Sequence, residues 1–543
     1  MSSRSGLPIT ALALLMAAGA GSAVAARSAV PAANQSPEQR AIAAILRDSD
    51  PRIPGAEHPL PLAASWSTGM TPLGFTPAWQ IGQIRRGQYL LPWFWLGAPP
   101  AEPMMKGPGY ATVSDAIYYG SAIGYLAQHG LPLTFDMPPW EILLPQVSAA
   151  YAKKIDSGGH PLDISPFGPI RPWYEAGRAW VRNPSVLQLQ RLYPDPPLVL
   201  FISDNESSKV TPDDLHVPYS VNASAQTIAR RHTIGDAWIV RYKAMIDGMR
   251  DGLEATGWRS HALFIGYDAF VTSAMGRWGG WGAYSLYVPG RTEPWPSAWD
   301  GASVSYYVHD WAPDADCIVW SPEVEAMNYV PVLAEVRRKQ PDFWFEISTW
   351  DGQQPGQPSD KLLFYANRRQ TYSPDRYGGM VQFGIWLLRP RVVRDFRGSE
   401  DDERIRFGAY YDRIMEAVAR VHRDPVLRDF WRQGRLVWNP VGGHPYEAAL
   451  TPELASRPRW FLLDSPANPP RPWQLTTPLT VYALALVRGR APHREWLVYA
   501  FSPLQHSGVV PVQIPGGPEV RVRTADRGAF TLIEEGNPLP IAH

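Results

Sequence analysis

From Leu60 onward the pattern of hydrophobic and polar positions divides the chain into two alternating kinds of segment. Short, nearly continuous apolar runs occur at Leu60–Thr68, Gln88–Gly97, Leu131–Met137, Leu198–Glu206, His261–Phe270, Ala302–Trp311, Asp342–Thr349 and Gly379–Leu388. Runs of this length with no polar face are what strands covered by helices on both sides require. The segments between them carry helical signals. After the fourth run Ser224 offers an N-cap, Trp238, Tyr242, Met245, Met249 and Leu253 recur at helical spacing, and Gly257 offers a stop. Ser321-Pro322-Glu323 opens a helix that ends near Lys339, and Ser399 with Asp402 opens another that continues to about Arg423. Strand followed by helix, eight times over, predicts an α/β fold, a (β/α)8 TIM barrel over residues 59–450. A doubly wound open sheet competes with it, but the turn after the first run reads Ser67-Thr68-Gly69-Met70 and carries no Gly-rich phosphate fingerprint.

From about Arg457 the helical period disappears. The segments RWFLLD, LTVYALALV, EWLVYAF, VVPVQIP, VRVRT and AFTLIEE are separated by turns, which predicts a small all-β sandwich over 451–543. At the other end, Arg4, an apolar stretch from Ile9 to Ala20 and the small residues up to Ala26 have the pattern of a secretory signal peptide, residues 1–26. The expected location is therefore secreted or periplasmic. Residues 27–58 read as a linker holding one helix, Pro37–Leu46, with Ser36 as N-cap and proline at its first position. No cysteine near Ala26 suggests a lipid anchor, and no later apolar run reaches the length needed to cross a bilayer.

Composition sharpens this picture in three ways. Lys+Arg and Asp+Glu each number 51 in 543 residues, so charge draws the chain toward neither nucleic acid nor an anionic membrane. Cys317 is the sole cysteine, which excludes an internal disulfide and any multi-thiolate metal site. The 23 tryptophans exceed what packing asks for and favour a binding surface, since indole stacks on flat apolar faces such as those of sugar rings. The histidines show no zinc-protease spacing, and neither a Walker lysine nor a Gly-x-Ser-x-Gly elbow occurs, so no cofactor and no metal is expected.

In a barrel of this kind, chemistry sits at the C-terminal ends of the strands. The fourth run ends Ser203-Asp204-Asn205-Glu206 and the seventh ends Phe345-Glu346-Ile347-Ser348-Thr349-Trp350. Two glutamates on strands four and seven can face each other across a bound substrate, which suits glycoside cleavage by an acid and a nucleophile. Asp136, Asp268 and Asp310 also end runs and read as substrate-positioning or supporting groups. Trp95 lies on the second run. Trp278 and Trp281, with Trp295 and Trp299, sit on a Gly-rich loop after the fifth run that reads either as a sugar platform or as a loop packing its own tryptophans. Arg389, Arg391 and Arg394 follow the eighth run and read as a solvated basic face or as contacts to an acidic sugar.

At these residues the chain resembles the large clan A of retaining glycoside hydrolases, over about Leu60 to Arg397. The resemblance implies Glu206 as acid/base, Asn205 as a donor to the sugar 2-hydroxyl and Glu346 as nucleophile. It also implies Tyr306 or Tyr307, near His309, as the group that orients the nucleophile, and Trp386 as the floor of the sugar site. The expected activity is retaining hydrolysis of a poly- or oligosaccharide. A non-catalytic glycan-binding barrel and a transglycosylase using the same glutamates are the alternatives.

Overall fold

The computed structural model describes residues 36–48, 63–65, 77–90, 123–137, 153–155, 161–164, 170–203, 240–241, 243–253, 257–268, 300–306, 344–348, 373–396, 401–437, 482–502, 508–525, 527–537 and 541–542. Nine strands fall in the first part of the chain: β1 (Ala63–Ser65), β2 (Leu133–Met137), β3 (Lys153–Ile155), β4 (Pro161–Ile164), β5 (Val199–Ser203), β6 (Ala262–Asp268), β7 (Gly301–Tyr306), β8 (Trp344–Ser348) and β9 (Val392–Phe396). Strands β3 and β4 pair with each other, antiparallel. The other seven form one sheet in the order β1-β9-β8-β7-β6-β5-β2. Every pairing in it is parallel. From β2 to β9 each strand lies beside the next one of the sheet in the chain, and β1 attaches beside the last. Such order needs a crossover at every step, and the segments between strands supply it.

The helices start where local chemistry says they should. They are α1 (Pro37–Asp48), α2 (Pro77–Arg85), α3 (Arg171–Val181), α4 (Pro184–Leu192), α5 (Gly257–His261), α6 (Pro374–Leu388), α7 (Asp401–Arg423) and α8 (Pro425–Gln433). In α1 the Ser36 hydroxyl accepts from the Gln39 amide at 3.1 Å, and the Gln39 carboxamide accepts from the Ser36 amide at 3.0 Å, a reciprocal capping box. Asn183, Ser373 and Asp424 cap α4, α6 and α8 with side-chain oxygens that accept from first-turn amides, each followed by proline at the first helical position. Residues 240–241 and 243–252 are helical where the Met245, Met249 and Leu253 stripe was expected, and all three are buried. Gly257 does not stop that helix. It opens α5, where its missing Cβ lets the chain pass against Asp195.

The eighth expected strand is a helix. Residues Gly379–Leu388 belong to α6, and the strand beside β8 is β9, VVRDF, which begins four residues after α6 ends. An apolar run bounded by no polar face is equally consistent with a strand and with a helix covered on all sides. Here α6 is covered by α7 on one side and by the C-terminal sheet on another, so it has no solvent stripe to betray its period. Of the second expected strand, Gln88–Gly97, only the first three residues are described, ending at the buried Leu90. The helix expected from Ser321 lies outside the described residues.

The C-terminal strands are β10 (Arg435–Leu436), β11 (Tyr482–Arg488), β12 (Glu495–Phe501), β13 (Gly508–Gln513), β14 (Glu519–Thr524), β15 (Ala529–Glu534) and β16 (Ile541–Ala542). They make a five-stranded antiparallel sheet, β10-β11-β12-β15-β16, and a hairpin, β13-β14. The edge strand β10 comes from upstream of residue 451. Ala483, Ala485, Trp496, Val498 and Ile533 from the larger sheet share one apolar core with Val510, Val512, Val520 and Val522 of the hairpin. Strict alternation along β14, with Val520 and Val522 in and Arg521 and Arg523 out, fixes its register.

Candidate functional site

Because all seven strands of the large sheet run the same way, their C-terminal ends share one edge, and register decides which residues stand level there. Phe135, Phe201 and Phe264 are register partners on β2, β5 and β6, with rings stacked at 5.9 and 5.0 Å. Trp258 of α5 and Trp180 of α3 lie on that ladder at 5.6 and 5.9 Å, so this is the helix-covered face. Strand residues alternate between faces with a period of two. Carried across the paired register, that alternation puts Ile347 on the helix-covered face and it is fully buried there. Asp136, Ser303, Ser305, Glu346, Arg394 and Ala64 stand at the alternate positions of the register.

Within that set Glu346 has defined neighbours. It is level with Ser305 on β7 and with Arg394 on β9, and Arg394 is in turn level with Ala64 on β1. Asp136 stands opposite Ile202 near the far side of the sheet, one residue before the end of β2. Ser203, the last residue of β5, pairs with Met137. Asp204, Asn205 and Glu206 follow it in sequence and lie outside the described residues, as do Tyr307, His309, Asp310, Trp350, Trp95, Trp278, Trp281, Trp295 and Trp299.

Tyr306 is level with Ile347 and Asp268 with Val304. One expectation changes. Trp386 is not at the edge of the sheet. It sits near the end of α6, fully buried, with Trp431 of α8 and Phe530 of β15 edge-on at 5.5 and 5.2 Å. Indole there is packing between helices and the C-terminal sheet, and no face of it is open to a ligand.

The three arginines after α6 separate into different roles. Arg389 ends α6 in a left-handed conformation, φ 41°, with its amide on the Ile385 carbonyl. Its guanidinium donates to the carbonyls of Trp431 at 2.8 Å and Gly434 at 2.6 Å, a cation at the C-terminus of α8. Arg391 is buried beside the start of β9. Arg394 is the central residue of β9, level with Glu346 on β8 and Ala64 on β1. A strand with Arg-Asp at its centre had given no apolar signal, so this residue was missed as a member of the sheet.

The titrating groups with displaced affinities lie elsewhere. Burial pushes the hydroxyls of Tyr193 and Tyr499 well above the ordinary tyrosine range. Burial also raises Asp412 on α7. Glu535 is lowered, chiefly by hydrogen bonds from the Arg494 side chain and backbone. None of these belongs to the sheet edge. Among the described residues, no three His, Cys, Asp or Glu side chains are grouped to hold a metal ion, and no helix is long and apolar enough to cross a membrane.

No protein-family model and no curated protein matches the chain. Among solved structures it is similar to a GH5-4 broad specificity endoglucanase from an uncultured bacterium, with TM-score 0.36 and 10% identity over 69% of this chain and 95% of that one. It is also similar to the endo-glycoceramidase II of Rhodococcus sp., with TM-score 0.30 and 11% identity over 86% and 97%. A third likeness is to an alpha-amylase from Malbranchea cinnamomea, with TM-score 0.32 and 10% identity over 84% and 87%. At such scores and identities these likenesses assign no family.

Proposed function

We propose that the chain is a secreted or periplasmic glycoside hydrolase, built on a (β/α)8 barrel with a C-terminal β-sandwich, that cleaves a poly- or oligosaccharide with retention of configuration. The observation that carries this reading is the strand order of the parallel sheet. In a doubly wound sheet the order reverses at a central first strand. Here it never reverses, and the first strand pairs with the last. The interval left between β1 and β2 has room in the sequence for the run Gln88–Gly97, which would complete eight strands and close the sheet.

In that closed form β5 and β8 are strands four and seven, three steps apart around an eight-stranded mouth. In the proposed reaction the Glu346 carboxylate attacks the anomeric carbon while Glu206 gives its proton to the departing glycosidic oxygen, and the C–O bond breaks. Glu206, now ionised, takes a proton from water, whose oxygen displaces Glu346 and returns both carboxyls to their starting states. No metal or cofactor enters this cycle. Asn205, Asp136 and the tryptophans Trp95, Trp278, Trp281 and Trp350 are proposed to hold the sugar.

Digestion of a broad glycan panel followed by NMR of the first-formed product anomers tests the proposal. Retained configuration is expected. Inverted products would overturn the mechanism, and binding with no release of reducing ends would overturn hydrolysis in favour of a silent glycan-binding barrel.

A further inference from the structure

We infer that the free edge of β14 is a docking site for an extended acidic peptide of a partner protein, taken up as an added strand. This does not depend on the activity proposed above. Strands β13 and β14 form a hairpin of their own, so each has one edge with no strand beside it among the described residues. The ladder between them shows what those edges present. The Ile514 amide donates to the Pro518 carbonyl at 3.2 Å, and bonded and non-bonded pairs alternate from there along an antiparallel ladder. Val512 with Val520 and Val510 with Val522 are thus the bonded pairs, whereas Gln513 with Glu519, Pro511 with Arg521 and Val509 with Arg523 are not. The backbone amides and carbonyls of Glu519, Arg521 and Arg523 therefore point away from β13. The same parity turns Pro511 toward the outer edge of β13, where it has no N–H to give, so that edge is blunted and the edge of β14 is not.

A groove of about 980 Å³ follows this edge, with Glu519, Arg521 and Arg523 on one wall and Thr531, Ile533 and Glu534 of β15 on the other. Just past β14 the Ser502 amide donates to the Ala525 carbonyl at 2.9 Å, which confines the free edge to β14 itself. Charge then selects the occupant. The Arg521 and Arg523 side chains are exposed, and among the described residues neither takes part in an ion pair or a side-chain hydrogen bond. Negative charge gathers instead toward the β13-β14 turn, where Arg494 holds Glu535 at 2.6 Å and reaches the Gly516 carbonyl at 3.4 Å. A strand added to β14 sets every second side chain beside Glu519, Arg521 and Arg523 and the alternate ones toward Val520 and Ile533. The matching segment alternates acidic with apolar residues, its acids level with the two arginines. A sugar fits less well. The indole in the wall, Trp496, is buried with the Arg494 guanidinium over its ring at 4.9 Å, so no aromatic face is open for stacking.

Fluorescence polarisation on the full chain tests this, with a labelled peptide Thr-Val-Glu-Val-Glu-Val-Thr as probe. It is compared with the same peptide carrying lysine for both glutamates, and with two N-methylated forms, one blocking the odd and one the even amides. The acidic peptide is expected to bind about tenfold or more tighter than the lysine peptide, and Arg521→Glu/Arg523→Glu to reverse that order. Because strand addition uses every second amide, one methylated form is expected to lose about tenfold in affinity and the other little. Absence of saturable binding, equal binding of the acidic and lysine peptides, or indifference to both methylation patterns overturns the inference. So does binding of oligogalacturonate, lost in the charge-reversed variant, with none of the peptide, which would make the occupant an acidic glycan. A dimer in light scattering that the reversal dissociates would make it a second copy, and overturns the inference equally. Should the reversed variant fail to fold, the peptide comparisons on the natural chain decide alone.

Discussion

The Tyr499 hydroxyl, on the central strand of the C-terminal sheet, donates to the Gly379 carbonyl of α6 at 2.8 Å, across 120 residues of sequence. Around this bond the contact is aromatic: Phe383 of α6 lies 6.3 Å from Tyr499 and 5.4 Å from Phe501, and Tyr499 lies 4.8 Å from Phe530. Arg420 of α7 adds its guanidinium over Phe530 at 4.8 Å. The C-terminal sheet is thus the outer cover of α6, and it replaces the water that a surface helix would face.

Tyr499→Phe should cost about 0.5–1.5 kcal/mol of stability, the net worth of one neutral hydrogen bond. The loss stays modest because a carbonyl inside a helix also accepts its own intrahelical bond and is not orphaned. Gly528→Ala should cost more, since φ there is +74° and a Cβ would overlap the Tyr499 ring. Gly516→Ala, at φ +67° with open space around it, should lose only about 1–2 kcal/mol. Urea midpoints of the three variants give the ranking.

Trp386→Ala should destabilise by about 3–5 kcal/mol, as expected for a large aromatic removed from a filled core. Trp386→Phe, which keeps much of the packing, should leave KM for any cleaved glycan unchanged. A rise in KM of tenfold without loss of stability would restore this tryptophan to the sugar site.

The pattern of the chain made most of these elements legible. Helix α1 was readable from Ser36-Pro37 and Gln39, and the end of α7 from Arg423 followed by a proline two residues on. What failed was period. Gly379–Leu388 reads as a strand because burial on every side erased its 3.6-residue stripe, although Ser373-Pro374-Asp375 already spelled a helix start. The true last strand escaped because Arg394 and Asp395 interrupt its apolar content. That these residues form a strand follows from their pairing with β1 and β8, and a linear pattern does not carry that information.

Arg389→Ala should lose about 2 kcal/mol or more, because two charge-assisted bonds to the end of α8 disappear at once. Arg389→Gly relieves the left-handed backbone and should lose less than Ala, although both lack the guanidinium. Thermal unfolding of the pair separates backbone strain from the tether.

Acid should loosen the C-terminal sheet through Glu535. Arg494 holds this carboxyl below its ordinary value of 4.5 in the folded chain. Its contribution to stability is therefore complete above the unfolded value and is lost as pH falls through the lower, folded one. Glu535→Gln should remove that part of the pH dependence, and urea midpoints measured from pH 6 down to pH 3 check it. Parallel curves for the two proteins would mean that the Arg494 pair contributes nothing.

Glu206→Ala and Glu346→Ala should each reduce kcat/KM on the natural glycan by about a thousandfold or more, of the size seen when one member of a catalytic pair is removed. On a substrate with a good leaving group, Glu206→Ala should be partly active and azide should restore its rate. Both variants at full rate would end the assignment.

The pairing of Ala63–Ser65 with Val393–Asp395 also sets an order of assembly. A ribosome must finish more than 300 further residues after β1 before its partner exists, so β1 waits with bare amide and carbonyl groups along its unpaired side. Chains cut short before Val392 keep that edge exposed and should accumulate as aggregates, whereas a cut made after β9 keeps the β1–β9 pairing but strips α6 of its cover.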